Sequence, residues 1–391
     1  MRLPQTAAAN AGHEHRMRAR RLAGFRIWAL LGLVLAVAGA LLVYYRPTIE
    51  LAYFDLPDDA AVDIPDGAEQ VVSGWWILLV VLPHRPRVVR RAATKLTEYR
   101  IALTDVLDLR RSRRQDIRDI ESVCLALGPY RNLTTLTAST LFLHPNCQVL
   151  NHAGKRIYGN AQVDFLQDYS QNKMDRFLQF AVQISAAGLR GDMGGSITRS
   201  HAFDPRYRTK EIFGQGGVEA RKECIRSLFW KESLRTSTII RERRVDLGAI
   251  FETEPRLRFL LPIRNPIDCA LSNLKTGHVG RFPGLSRSTP TPQVVQAILD
   301  EIFWFASLRR QYPDRFHYFF EYAISPTMLA DLARFLRLPP DETWIANALA
   351  AMKINPGYEH DKTLVGFYRD YVDRKGATFP ELAEGLHAFS T

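Results

Sequence analysis

Two short stretches of this chain combine cations, hydroxyls and turn-forming residues at spacings suited to holding anions. The first, Gly128 to Leu136, reads GPYRNLTTL and offers one guanidinium (Arg131) and two adjacent hydroxyls (Thr134, Thr135) between a short apolar run and a helical pattern. A helix N-terminus is a ready anion site, because its first amides lack partners and its dipole is positive there. The GxxxxGK[ST] spacing of a Walker A loop is absent. A plain capped turn with Thr134 as N-cap is the alternative. The second stretch, RNPIDCALS, puts Arg264 at the end of an apolar run and Ser272 eight residues on, inside the next helical pattern. Two such turns at one sheet edge suit a ligand with two separated phosphate-type groups. Chemistry on that ligand needs a base and further cations. His152, in QVLNHAG, has a side chain that titrates near neutrality and is the candidate general base. Lys231 and Glu232, in LFWKESLR, close another apolar run and supply a second cation and a rival base. Ordinary surface roles are the alternatives for all three.

The elements that must position these residues alternate in kind. Apolar strand patterns cover Ser122 to Gly128, Arg256 to Arg264 and Phe316 to Tyr322. Helical patterns cover Thr134 to Leu143, Pro266 to Lys275 (with proline suited to a first turn), PQVVQAILDEIFWFASLRRQY and SPTMLADLARFLRL. Strand, crossover helix, strand predicts an α/β fold with a central parallel sheet flanked by helices. Residues 151–226 are polar and glycine-rich and read as cap and loop material covering a substrate region. The expected catalytic domain is 121–391.

Together the two turns resemble the cofactor signature of the sulfotransferases that use 3′-phosphoadenosine 5′-phosphosulfate (PAPS), a family with a P-loop-like fold. The family's first motif, K/R-S-G-T-T, cradles the 5′-phosphosulfate and is matched at Arg131, Thr134 and Thr135, with LFLHPN following. Its second, R-D/N-P-x-D-x-x-x-S, grips the 3′-phosphate and is matched at Arg264, Asn265, Pro266, Asp268 and Ser272. YFFEYAISPTMLADLARFLRLP is similar to a further family element, so the likeness runs from about Val123 to Leu338. It implies PAPS as sulfate donor, no metal, and cofactor contacts from Arg131, Asn132, Thr134, Thr135, Arg264 and Ser272. Arg131, His152, Lys231 and Glu232 are the implied catalytic set. Tyrosylprotein-type members carry a glutamate base 21 positions after the first basic residue, where this chain has His152, and glycan-directed members have a K-x-P segment resembling that around Lys231. DRKGAT adds Arg374 and Lys375, similar to an RKG that touches the 3′-phosphate in cytosolic members. Asn132 stands where the family has serine and Leu133 where it has glycine, a residue chosen for unusual backbone angles.

The ends of the chain point to a membrane. Residues 1–26 form a basic tail. Ile27 to Tyr45 holds 19 residues without a charge, enough to span a bilayer at about 1.5 Å per residue. Residues 46–70 are an acidic loop, and Val71 to Pro83 is a second, shorter apolar run, followed by a basic linker over 84–120. An acidic loop between basic flanks predicts a two-pass hairpin with a cytoplasmic catalytic domain, as in a bacterial inner membrane. A single-pass type II protein is the alternative. The net charge of +11 over 391 residues suits an anionic membrane, nucleotide or acidic glycan, and no basic stripe interleaved with aromatics points to nucleic acid. Four scattered cysteines form neither a metal pattern nor a disulfide framework. The reading that follows is a membrane-anchored enzyme transferring a sulfuryl group to a hydroxyl of a saccharide or glycolipid. A catalytically silent nucleotide-binding scaffold is the competing reading, with Leu133 as its motive.

Overall fold

A computed structural model of the chain describes residues 105–390, apart from 106, 187–193, 205–206, 216–219, 353 and 355–356. The expected basic tail, both membrane segments, the acidic loop and most of the basic linker lie outside these residues. Among the described residues no helix is long and apolar enough to cross a membrane.

The strands are β1 (Ser122–Ala126), β2 (Cys147–Asn151), β3 (Gly195–Ser196), β4 (Ser227–Lys231), β5 (Leu257–Ile263) and β6 (Phe316–Phe320). They form one sheet in the order β3-β2-β4-β1-β5-β6, parallel throughout except for β3, which pairs antiparallel with β2 at the edge. The three strand patterns expected from sequence all form, each a residue or two shorter than the apolar run. The central strands are continuous apolar runs because both faces are covered. Alternate side chains sort to the two faces: Val123, Leu125, Leu228, Trp230, Phe259 and Leu261 enter one core, while Cys124, Ala126, Phe229 and Leu260 enter the other.

Helices α1 (Thr134–Phe142), α2 (Gly154–Ile157), α3 (Gln171–Ser185), α4 (Arg208–Gln215), α5 (Leu234–Glu242), α6 (Leu247–Thr253), α7 (Pro266–Thr276), α8 (Thr291–Gln311), α9 (Pro326–Phe335), α10 (Glu342–Ala351), α11 (Lys362–Gly376) and α12 (Pro380–His387) cover the sheet. Helix α3 corrects the expectation that 151–226 is cap and loop. Its Met174, Phe177, Leu178, Ala181 and Val182 recur at helical spacing and are buried, so it packs on the sheet as the crossover between β2 and β4. Ser170 caps it, accepting from the Lys173 amide. The polar composition of the surrounding loops hides this stripe.

Helix α1, which leads from β1 to β2, packs in one core, while α5 and α6, which lead from β4 to β5, pack in the other. Since β1 and β4 are adjacent, a crevice forms beyond their carboxyl ends, the place where sheets of this topology take ligands.

Candidate functional site

Each of the five parallel strands delivers a charged or titratable residue at or just beyond its carboxyl end: Arg131 after β1, His152 after β2, Lys231 and Glu232 at β4, Arg264 after β5 and Glu321 after β6. Glu321 lies inside the YFFEYAISPTMLADLARFLRLP segment without a role assigned to it, although FFEY places it beyond its strand as LPIR places Arg264. Backbone strain gathers at the same edge. Of the seven non-glycine residues with positive φ among those described, five lie in these loops: Arg131, Leu133, His152, Ala153 and Ser233.

The first loop leaves β1 through Gly128, whose φ of +91° strains any side chain and where a Cβ would meet Leu261 Cδ1 at 2.2 Å, so a substitution there would have to displace that leucine. Leu133, at φ 59°, adopts the left-handed conformation that a glycine would take freely. Leucine bears a strain of about 1 kcal/mol there. Its side chain cannot cap the helix, and Thr134 is the first helical residue rather than the N-cap. The first-turn amides of α1 are therefore left without a side-chain cap, directed at the crevice.

The loop is held by β5 and α7. Asn132 is wholly buried; its Nδ2 donates to the Pro262 carbonyl and its Oδ1 accepts from the Arg264 amide at 2.8 Å. Strand β1 has ended by this level, with Leu127 donating to the Leu260 carbonyl at 3.0 Å as its last rung. The Asn132 carboxamide donates to one residue and accepts from the residue two further on, which is what the next backbone unit of a parallel ladder would do. Proline is tolerated at 262 because its missing N–H faces the side where β1 has stopped. The Asn132 side chain is thus committed to structure, and any contact it makes with a ligand falls to its backbone. From α7, Asn273 Nδ2 and Cys269 Sγ both donate to the Tyr130 carbonyl, at 2.8 and 3.2 Å, and Arg131 Nε donates to Ser272 Oγ at 3.0 Å. Residues 269, 272 and 273 share one helix face, which explains the spacing. Burial pushes the Cys269 thiol up to about 12, so it remains protonated and able to donate. Arg131 and Ser272 therefore meet, and the two turns make one continuous rim.

At the second turn, Asn265 caps α7, accepting from the Ile267 and Asp268 amides, with Pro266 in the first turn as expected. The Arg264 side chain, 14% exposed, lies between Asp268 (3.6 Å) and Glu321 (3.9 Å). Both separations exceed hydrogen-bond range, and its buried Nε has no hydrogen-bond partner. A guanidinium oriented by two carboxylates but satisfied by neither retains donors for an oxyanion. Burial raises the pKa of Glu321, opposed by the Asn265 amide and by Arg264. Asp268 also accepts from His360 Nε2 (2.7 Å) and from the Tyr358 amide (2.9 Å), bringing a distant segment over this turn that no local pattern announces.

Across the crevice, His152 Nε2 lies 2.8 Å from Lys231 Nζ, and its Nδ1 lies 4.0 Å from Glu232 Oε2. An ammonium only donates, so Nε2 accepts from Lys231 and the ring proton sits on Nδ1, toward Glu232. The Glu232 side chain is 0% exposed against 22% for His152. It accepts from the Gly154 amide at 3.1 Å and pairs with Arg235 at 3.1 Å. Of the two candidate bases, His152 is part-exposed, whereas Glu232 is enclosed and holds its neighbours.

Arg374 and Lys375 are not brought to the site. They lie in the last turn of α11, exposed, with Lys375 3.9 Å from Asp300 on α8. That is about 18 Å along the helix from the end beside His360 and Asp268. The three-residue match falls on a helix terminus instead of a loop. Among the described residues no group of three or more His, Cys, Asp or Glu is placed to hold a metal. All four cysteines are free thiols, and only Cys224 is exposed.

The fold and site thus define an α/β protein with a crevice lined by cationic side chains at the carboxyl edge of its parallel sheet. No family model matches the chain, and no curated protein matches it. Solved structures similar to it include a mouse sulfotransferase complexed with PAP, at 10% identity over 70% of this chain and 90% of that one, with a TM-score of 0.33. A sulfotransferase from Alicyclobacillus acidocaldarius is 12% identical over 65% of this chain and 94% of that one, with a TM-score of 0.31. One from Mycobacterium avium is 12% identical over 74% and 85%, with a TM-score of 0.37.

Proposed function

We propose that this chain is a PAPS-dependent sulfotransferase that acts on a hydroxyl of a saccharide or glycolipid at a membrane. One observation carries the reading: Arg131, Lys231 and Arg264 stand at or just beyond the carboxyl ends of three adjacent parallel strands, α1 opens uncapped after the middle one, and a histidine contacts Lys231. The residues fit the donor's two charged ends. The first turn of α1 with Arg131, Thr134 and Thr135 would hold the phosphosulfate, and Arg264 with Ser272 would hold the 3′-phosphate. The donor supplies an activated sulfuryl group on a phosphate leaving group.

An acceptor hydroxyl entering at His152 takes the place of the Lys231 ammonium on Nε2 and passes its proton there. With the donor bound, displacement would proceed at sulfur, the acceptor oxygen bonding to it as the sulfur–phosphate oxygen bond breaks and the electron pair stays on that oxygen. Lys231, released from the imidazole, and Arg131 offset the charge that gathers on the transferring and leaving oxygens. Glu232 keeps the Nδ1 side of the ring facing a carboxylate, which favours the imidazolium once formed. The membrane setting, with a hairpin returning the catalytic part to the cytoplasmic side, is carried by the charge pattern of residues 1–120 alone. Leu133 takes the left-handed backbone conformation a glycine would take freely, which supports this reading over a catalytically silent scaffold.

Calorimetric titration of the detergent-solubilised protein with adenosine 3′,5′-bisphosphate tests the reading. Micromolar binding is expected, abolished by Arg264→Ala and unchanged by Arg374→Ala. No binding by the unaltered protein would refute it.

A further inference from the structure

Residues 107–112 are helical and end in a turn at 113–114, ahead of β1. Between this stretch and α3 lies a cavity of about 220 Å³, lined by Leu109, Arg110, Arg113, Gln162 and Arg176. That volume is below the ~300–1,000 Å³ of sites for whole small molecules, so it suits one charged group. The lining holds three guanidiniums and no carboxylate. Carboxylates carried by the same two stretches are engaged elsewhere. Asp105 and Asp108 pair with Arg156 at 2.6 and 2.9 Å, Asp116 with Arg118, and Asp175 with Arg256 at 3.1 Å. Arg176, on α3, donates to Gln179 Oε1 at 3.2 Å and to the Leu109 carbonyl at 3.3 Å. Those bonds fix it at the cavity, and neither partner carries a charge. Burial and the neighbouring Arg113 push its pKa down, the mark of a cation held beside a like charge. Arg110 and Arg113 are exposed and make no ion pair among the described residues. An anion seated among the three would offset their repulsion.

The guanidinium fork matches the oxygens of a phosphate. The sequence leading into this stretch says where a phosphate would come from. Residues 84–104 carry six Lys and Arg against one Glu, and the apolar run Val71 to Pro83 precedes them. A cationic segment beside an apolar one draws anionic lipid, each Lys or Arg at the surface adding about fivefold to affinity. Arg110 and Arg113 stand on the exposed side of the cavity, where a headgroup would enter.

We propose that this cavity binds the phosphate of an anionic phospholipid through Arg110, Arg113 and Arg176, and so docks the folded part of the chain on a membrane surface. None of the crevice residues lines it, so the proposal is independent of the sulfuryl-transfer reading. Native mass spectrometry of the full-length protein in neutral detergent tests it, with dioleoyl phosphatidate, dioleoyl phosphatidylcholine and inorganic phosphate as probes. Phosphatidate is expected to be retained about tenfold more firmly than phosphatidylcholine. Inorganic phosphate in large excess should leave it bound. An Arg110→Gln, Arg113→Gln variant should lose the preference, with a Tm within about 2 °C of the parent because both residues are exposed. An Arg111→Gln, Arg114→Gln variant makes the same change in charge on exposed residues outside the lining, and should keep the preference. Equal retention of the two lipids, a preference that survives the first variant, or equal loss in both variants overturns the proposal. Displacement of phosphatidate by inorganic phosphate would refute the lipid as ligand and leave a site for free phosphate.

Discussion

Replacing Asn132 by alanine removes the side chain that ties the first loop to the backbone of β5 at both Pro262 and Arg264. The carboxamide satisfies the Pro262 carbonyl and the Arg264 amide beyond the end of β1, and Asn132 is 0% exposed. Alanine leaves a backbone donor and a backbone acceptor without partners in a buried setting. Each such loss costs about 1–3 kcal/mol, so the pair amounts to roughly 2–4 kcal/mol once partial access of water is allowed. For a domain of this size that corresponds to a drop in Tm of about 4–10 °C. The same change frees Arg264 from its register with the first loop, so affinity for adenosine 3′,5′-bisphosphate should fall about tenfold or more, although the Asn132 side chain touches no ligand. Thermal unfolding followed by circular dichroism, with calorimetric titration of the same sample, reads both effects. A Tm within 1–2 °C of the parent (roughly the spread of a neutral substitution), together with unchanged affinity, would refute the ladder-extension argument. Lower affinity with no loss of stability would instead mean that the side chain meets the ligand directly.

Three further outcomes can be measured. His152→Ala should lower the turnover number by about 10²–10⁴, the weight of a general base, as read by release of adenosine bisphosphate from the donor. Glu232→Gln should lower it less while shifting the pH profile, and unchanged turnover in His152→Ala would end that assignment. His317, stacked on Phe335 and held to a pKa of about 4 by burial and by nearby Arg309, is neutral in the fold. Because the unfolded chain takes up its proton near 6.5, its contribution is intact above that pH and is lost as the pH falls from about 6.5 to about 4. The loss is at most about 3 kcal/mol, and His317→Leu should flatten the dependence of Tm on pH across this window. In sealed vesicles with the N-terminal side inside, the two-pass hairpin expects the catalytic part to resist external protease; its complete digestion would leave the single-pass topology.

The parallel sheet, its main helices and the strand-end positions of Arg131, Lys231 and Arg264 were legible in the sequence. Each rests on a local pattern: an apolar run of strand length, a turn, and a helix opened by a capping residue such as Asn265 before Pro266. The eight-residue interval from Arg264 to Ser272 is likewise a property of one turn and one helix, so reading it needs no knowledge of the rest of the chain. Helix α3 escaped because its stripe lies among polar loops, and the three-residue match at Arg374 and Lys375 carries no information about whether it ends a helix, as it does here, or crosses a site.

What the tertiary structure alone decided concerns residues far apart in the chain. Asn132 meets Pro262 across 130 positions, Arg131 meets Ser272 across 141, and His152 meets Lys231 across 79. No periodicity reports such distances, because they depend on strand order and on where each strand stops. The difference in exposure between His152 and Glu232 was of the same kind. Both are titratable residues at or beyond a strand end in sequence, and only the packing of Gly154 and Arg235 encloses the Glu232 carboxylate while His152 stays part-exposed.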